Sequence, residues 1–95
     1  MSDSTTLPPD QVIELQRQYR LQWEVAQDCY VLLYPEGLIQ LKGSAGEIVK
    51  RVDGNTSING IVANLEQAFP GNDLRQDVIG FLEHAYGKGW IRVKP

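Results

Sequence analysis

The sequence predicts an α+β fold: three short antiparallel strands followed by three helices, βββααα. Three observations predict it. Apolar residues recur with strand spacing from Tyr19 to Lys42, interrupted by two turn signals. The spacing then becomes helical, first behind Ser44 and again behind Ser57 and Asn72. Ninety-five residues with a 42% apolar share suit one small domain with one modest core.

Residues Met1 to Pro9 are polar and end on Pro8-Pro9, which reads as a disordered leader. Asp10 to Gln18 can form a helical turn or two capped by Asp10, although Val12, Ile13 and Leu15 make no clean stripe. Residues 1–17 are therefore expected as a flexible N-terminal tail, and 18–95 as a single domain. In the first strand, Tyr19 to Glu24, Tyr19, Leu21 and Trp23 point to a buried face while Arg20, Gln22 and Glu24 point away. Ala26-Gln27-Asp28 turns the chain. Cys29 to Tyr34 is nearly all apolar, as a central strand covered on both faces would be. Pro35-Glu36-Gly37 suits a three-residue hairpin loop, and Leu38 to Lys42 returns as the third strand.

Ser44-Ala45-Gly46-Glu47 has the form of a capping box, in which Ser44 takes an orphan amide and Glu47 reaches back. That helix is expected to stop at Asp53-Gly54. The second helix starts near Ser57 and aligns Ile58, Ile61, Val62, Leu65 and Phe69. Pro70-Gly71 ends it. The third starts at Asn72 or Asp73 and runs to about Tyr86. Trp90 to Val93 can add a short last strand.

Composition excludes several chemistries. Nine basic against twelve acidic residues give a net charge of −3, poor for general phosphate-backbone binding. A single Cys, Cys29, rules out an internal disulfide or a cysteine zinc site. No metal, cofactor or catalytic residue is expected. Cys29 sits in an apolar strand and His84 on a polar helical arc, so a small enzyme built on that pair is a weak rival. No apolar run approaches membrane-span length and the N-terminus lacks a signal-peptide pattern, so the cytoplasm is expected. Three small helices are also the outline of a winged helix, and a DNA-binding winged helix is the alternative function. Against it, the second helix carries no Lys or Arg.

Two features point to binding. In a three-strand meander the third strand is an edge, and Leu38-Ile39-Gln40-Leu41 carries no proline or charge to blunt it, only Lys42 at its end. The third helix has an apolar arc wider than a helix packed on one side needs. It holds Phe81, Leu74, Ala85 and Val78, extended by Leu82, Tyr86 and Ile79, with Arg75 projecting. One reading has the tail or the last strand covering the excess; the sharper reading is a groove wall. An open edge beside an apolar wall is the geometry of β-augmentation, in which a guest peptide adds a strand.

The string YRLQWEVAQDCYVLLYPEGLIQLKGSAGEIV, with Val52-Asp53-Gly54 and the late FLEHAYGKGWI, resembles the PqqD family of pyrroloquinoline quinone (PQQ) biosynthesis. The resemblance runs from about Arg17 to Ile91. It implies a truncated winged-helix fold of the peptide-recognition type. It also implies a non-catalytic accessory role: holding the ribosomally made precursor peptide PqqA and presenting it to the radical SAM enzyme PqqE, which crosslinks a Glu and a Tyr of the peptide. The peptide-binding residues it implies here are Leu38, Ile39, Gln40, Leu41 and Lys42, with Leu74, Val78, Ile79 and Leu82 as the wall. Arg75 and Lys42 are candidates for pairing with acidic residues of the peptide. No nucleic acid or membrane partner is expected, and the chain is expected as a monomer or as a weak or swapped dimer.

Overall fold

The computed structural model describes residues 7–95. Its elements are β1 (Ile13–Leu15), β2 (Arg20–Glu24), β3 (Cys29–Tyr34), β4 (Gly37–Leu41), α1 (Ser44–Lys50), α2 (Ile58–Ala68), α3 (Arg75–Gly87) and β5 (Ile91–Val93). The expected run of three strands and three helices is present, framed by two further strands. β2, β3 and β4 form an antiparallel sheet in that order, while β1 and β5 pair separately.

β1 corrects the helical turn expected over residues 10–18, and the tail expected over 1–17 is ordered from Leu7 onward. Ile13 is fully buried opposite Val93, and Leu7 is buried in the core. Glu14 on β1 accepts from Arg92 on β5 at 2.7 Å, 78 positions away in the chain. A three-residue strand is too short to declare its period, and its partner lies at the far end of the sequence. The remainder of the expected tail, residues 1–6, lies outside the described residues.

Two apolar clusters fill the interior. The larger joins Leu7, Ile13 and Ile91 to Ile48, Ile61, Leu65 and Leu82, so the helices pack against the β1–β5 pair. The smaller comprises Leu32, Leu41 and Val49 and lies between the three-stranded sheet and α1. Neighbouring residues of one short helix, Ile48 and Val49, thus serve different clusters. α1 lies very close to the sheet at Gly46, where an added Cβ would sit 3.0 Å from the Tyr30 ring and 3.3 Å from the Leu41 carbonyl oxygen.

Trp23 departs from its expected burial and is 47% exposed, resting edge-on against Tyr30 with ring centroids 4.9 Å apart. The reason is length. Seven helical residues span about 10 Å, whereas the strands beneath extend for nearly twice that. The outer end of the β2–β3 hairpin is left uncovered.

The helix ends also differ in detail. Ser44 is the first residue of α1 rather than its cap; Gly43 is the cap and offers no side chain. Glu47 does not reach back. Its carboxylate instead accepts from Arg51 Nη1 at 2.9 Å, one turn on, a charge-assisted bond stronger than one to a neutral amide. α1 stops at Lys50, before the expected Asp53-Gly54. Asp53 instead organises the next turn, accepting from the Asn55 amide at 2.9 Å and from Thr56 Oγ1 at 3.2 Å. α2 is capped as expected: Ser57 Oγ accepts from the Gly60 amide at 3.1 Å. α3 begins at Arg75, later than expected, and a residue of α2 serves its start. Glu66 accepts from the Leu74 amide at 3.1 Å.

Candidate functional site

The hairpin between β3 and β4 determines which backbone groups of β4 are free. Its connection is two residues, Pro35-Glu36, not the expected three, and Gly37 opens β4 opposite Tyr34. Gly37 has φ 156°, a value L side chains rarely adopt. Because Pro35 has no amide hydrogen, the Tyr34–Gly37 pair must be a hydrogen-bonded one. The ladder alternates from there, so Ile39 and Leu41 bond to β3 while the amides and carbonyls of Leu38 and Gln40 face outward. No strand covers that side of β4 among the described residues.

Side chains alternate as well. Leu38, 46% exposed, and Gln40, exposed, lie on the outer sheet face. Ile39 and Leu41 point inward; Leu41 is buried in the smaller cluster and Ile39 packs at its border, as do Phe81 and Trp90. Lys42 is exposed and lies one residue beyond β4.

At the Leu41 end of this edge, past Gly43 and Ser44, a cavity of about 450 Å³ opens between α1, α2 and α3. Its lining includes Ile48, Leu65, Phe69, Leu74 and Val78, with Glu47, Asn72 and Asp77 as its other polar residues. That volume lies in the roughly 300–1,000 Å³ range of ligand sites. Phe69 was expected in the buried stripe of α2, but it is 45% exposed on the cavity wall.

The structure brings some of the expected wall residues to this edge and separates others. Leu74 and Val78 line the cavity. Leu82 is fully buried in the larger cluster, on the face packed under α3. Arg75 and Ile79 sit about 100° further round α3 and line a different surface depression with Gln76, Gly80 and Glu83. There Arg75 donates to Asn59 Oδ1 at 2.8 Å. Part of α3's wide apolar arc is explained by Leu7 and the β1–β5 pair, which pack into the same cluster. Sequence reading missed Phe69 and Asp77 as site residues. The signal for Phe69 was its place at the helix end beside Pro70-Gly71, where the chain turns away from the core. Cys29 is a half-buried free thiol and His84 stands edge-on to Trp90, 5.7 Å between centroids.

A family model described as Coenzyme PQQ synthesis protein D (PqqD) matches residues 29–91. The chain belongs to the PqqD family. A protein of Azotobacter vinelandii named PqqA binding protein is 46% identical over 94 residues, covering 98% of this chain and 99% of that one. One of the same name from Pseudomonas aeruginosa PAO1 is 48% identical over 86 residues, covering 90% and 94%. In fold, the chain is similar to the solution NMR structure of the PqqD truncation of Methylobacterium extorquens PqqCD. The TM-score is 0.76 at 25% identity, covering 95% of this chain and 99% of that one. That structure is described as a functional and stand-alone recognition element for ribosomally synthesised, post-translationally modified peptides. The resemblance drawn from the sequence is therefore correct. The match to the Azotobacter relative also takes in nearly the whole N-terminal stretch, including β1, which the sequence reading had set aside as a leader. A PqqD-family chain has a binding and accessory role. No helix among the described residues is long and apolar enough to cross a membrane.

Proposed function

We infer that this chain binds the PqqA precursor peptide in PQQ biosynthesis by adding it as a strand to β4, without catalysing a reaction itself, and presents it to PqqE in the cytoplasm. The observation that carries the reading is the outward-facing backbone of Leu38 and Gln40, next to a cavity with apolar walls. Those two residues offer two donors and two acceptors, each bond worth about 1 kcal/mol net. An apolar side chain filling the cavity adds roughly 1.5–3 kcal/mol. Ordering a flexible peptide offsets several kcal/mol of this, so the expected affinity is on the order of micromolar.

In this reading, backbone contacts come from Leu38 to Lys42 and side-chain pockets from Leu74 and Val78. Leu41 and Leu82 act from behind, as the packed floor that holds strand and helix in place. Arg75 and Ile79 lie on the other flank of α3 and reach only a peptide that continues round the helix.

The test is titration of isotope-labelled protein with PqqA, followed by amide chemical shifts. The largest changes are expected from Leu38 to Lys42 and at the start of α3. Changes confined to β2 or to the exposed side of α2 would refute strand addition at β4. Adding PqqE to the preformed complex is expected to give a ternary species in size-exclusion chromatography. Random duplex DNA is expected not to bind even at low salt, since α2 carries no basic side chain.

A further inference from the structure

We propose that Asp77, at the rim of the cavity beyond β4, selects a basic residue in the captured peptide, adjacent to an apolar side chain that fills the cavity. This rests on the peptide-binding reading above and adds a specificity to it.

The argument begins with the carboxylates around the cavity. Glu47 on α1 lines it, but its charge is met by Arg51 at 2.9 Å. Glu66 on α2 is engaged by the Leu74 amide at 3.1 Å. Asp77 also lines the cavity, is exposed, and has no ion pair or side-chain hydrogen bond among the described residues. Its place in the first turn of α3 accounts for an acid there through the helix dipole, but leaves the outer side of the carboxylate unused.

The lining contains two carboxylates and no Lys or Arg. A guest bearing a cation at this rim is drawn in, and one bearing a carboxylate is repelled. The apolar half of the recognition has a comparable basis. Ile48, Leu65 and Val78 form a buried floor, while Leu74 and the half-exposed Phe69 stand as walls. Gly43 on the cavity rim is two residues past the end of β4, which places the rim near the Leu41 end of the open edge. A strand laid on β4 therefore delivers its next one or two residues to the cavity mouth, at about 3.3 Å per residue. This reverses the charge preference drawn from Arg75 and Lys42: Arg75 is on the other flank of α3 and bonded to Asn59, and neither residue lines the cavity.

The test uses the full chain, the PqqA peptide, and peptide variants in which each Lys and Arg is changed in turn to Gln. Calorimetry is run on wild type, Asp77→Asn and Asp77→Lys, with circular dichroism to verify folding. Asp77→Asn is expected to weaken PqqA binding about fivefold at low ionic strength, and less as salt is added. One peptide variant is expected to show the same loss with wild type and no further loss with Asp77→Asn, the signature of a coupled pair. Placing Glu at that peptide position is expected to restore binding to Asp77→Lys. Unchanged PqqA affinity in Asp77→Asn, or an equal loss with every peptide variant, would overturn the proposal while leaving peptide binding intact. If wild type fails to bind PqqA at all, the peptide-binding reading fails and this specificity fails with it.

Discussion

The three-stranded sheet has two edges, and they are built differently. On β2 the alternation of the ladder turns the backbone of Leu21 and Trp23 outward, flanked by Arg20 and Glu24. On β4 it turns out Leu38 and Gln40, with no charged residue anywhere in the strand. Charges beside an edge discourage a foreign strand by making its approach costly in desolvation. The edges also differ in what stands beside them. β2 runs past an exposed Trp23 to Glu24 and a turn, whereas the chain after β4 lines the cavity between the helices. One sheet thus carries a guarded margin and an open one, and exposed backbone makes a binding site only where the flanking side chains permit approach.

The strongest way to break this comparison is a matched pair of prolines. Gln40→Pro removes an outward amide, so the sheet survives, as an edge strand tolerates proline. Peptide affinity is expected to fall by about 2–3 kcal/mol, roughly a hundredfold, as adjacent backbone bonds are lost and the ring obstructs the guest. Trp23→Pro on the other edge is expected to leave affinity unchanged, losing only about 1 kcal/mol of folding stability with the Tyr30 contact. Calorimetry on both variants checks this. A comparable loss of affinity from each would mean that the edges are equivalent.

A smaller effect sharpens the role of the cavity. Phe69→Ala is expected to weaken peptide binding by about 1–1.5 kcal/mol. Because Phe69 is half-exposed, the thermal midpoint should barely move. Ser57→Ala separates frame from edge: losing the α2 cap is expected to lower stability in urea by about 1 kcal/mol with peptide affinity unaltered.

The smallest expected effect is a pH dependence remote from either edge. The Asn55 amide, ahead of the Thr56 hydroxyl, holds the Asp53 carboxyl below its ordinary 3.8. A carboxyl depressed in the folded state stabilises the fold above its unfolded value and ceases to as pH falls through the folded one. Wild type is therefore expected to exceed Asp53→Ala slightly in stability at neutral pH. The gap should close as the pH drops below 3.8, in urea melts at a series of pH values. Asp53 is exposed, so the gap is small.

Much of this fold was legible in local pattern. β2 to β4 and α2 declare their periods, and Ser57 and Pro70-Gly71 mark where α2 begins and ends. What was not legible depends on partners distant in the chain. Ile13 and Leu15 belong to a strand only because Ile91 to Val93 meets them. The start of α3 is served by Glu66 on another helix, which accepts from the Leu74 amide, as well as by its own Asp73, which accepts from the Arg75 amide. The candidate site divides the same way. The openness of β4 could be read from Leu38 to Leu41, since an edge without charge or proline is a property of sequence. Which residues of α3 share a side with it could not, because that depends on how the helix is rotated. Val78 and Arg75 lie in the same apolar-rimmed stretch, yet packing turns one to the cavity and the other to Asn59.

The bond from the Lys94 amide to the Val12 carbonyl, 2.9 Å long, carries the β1–β5 pairing one residue further. A cut in the exposed turn around Val25 would leave two pieces still joined by that pairing and by the β2–β3 ladder. A chain nicked there should stay assembled, and the hairpin tip is therefore the place to insert a tag or a second module while β4 stays untouched.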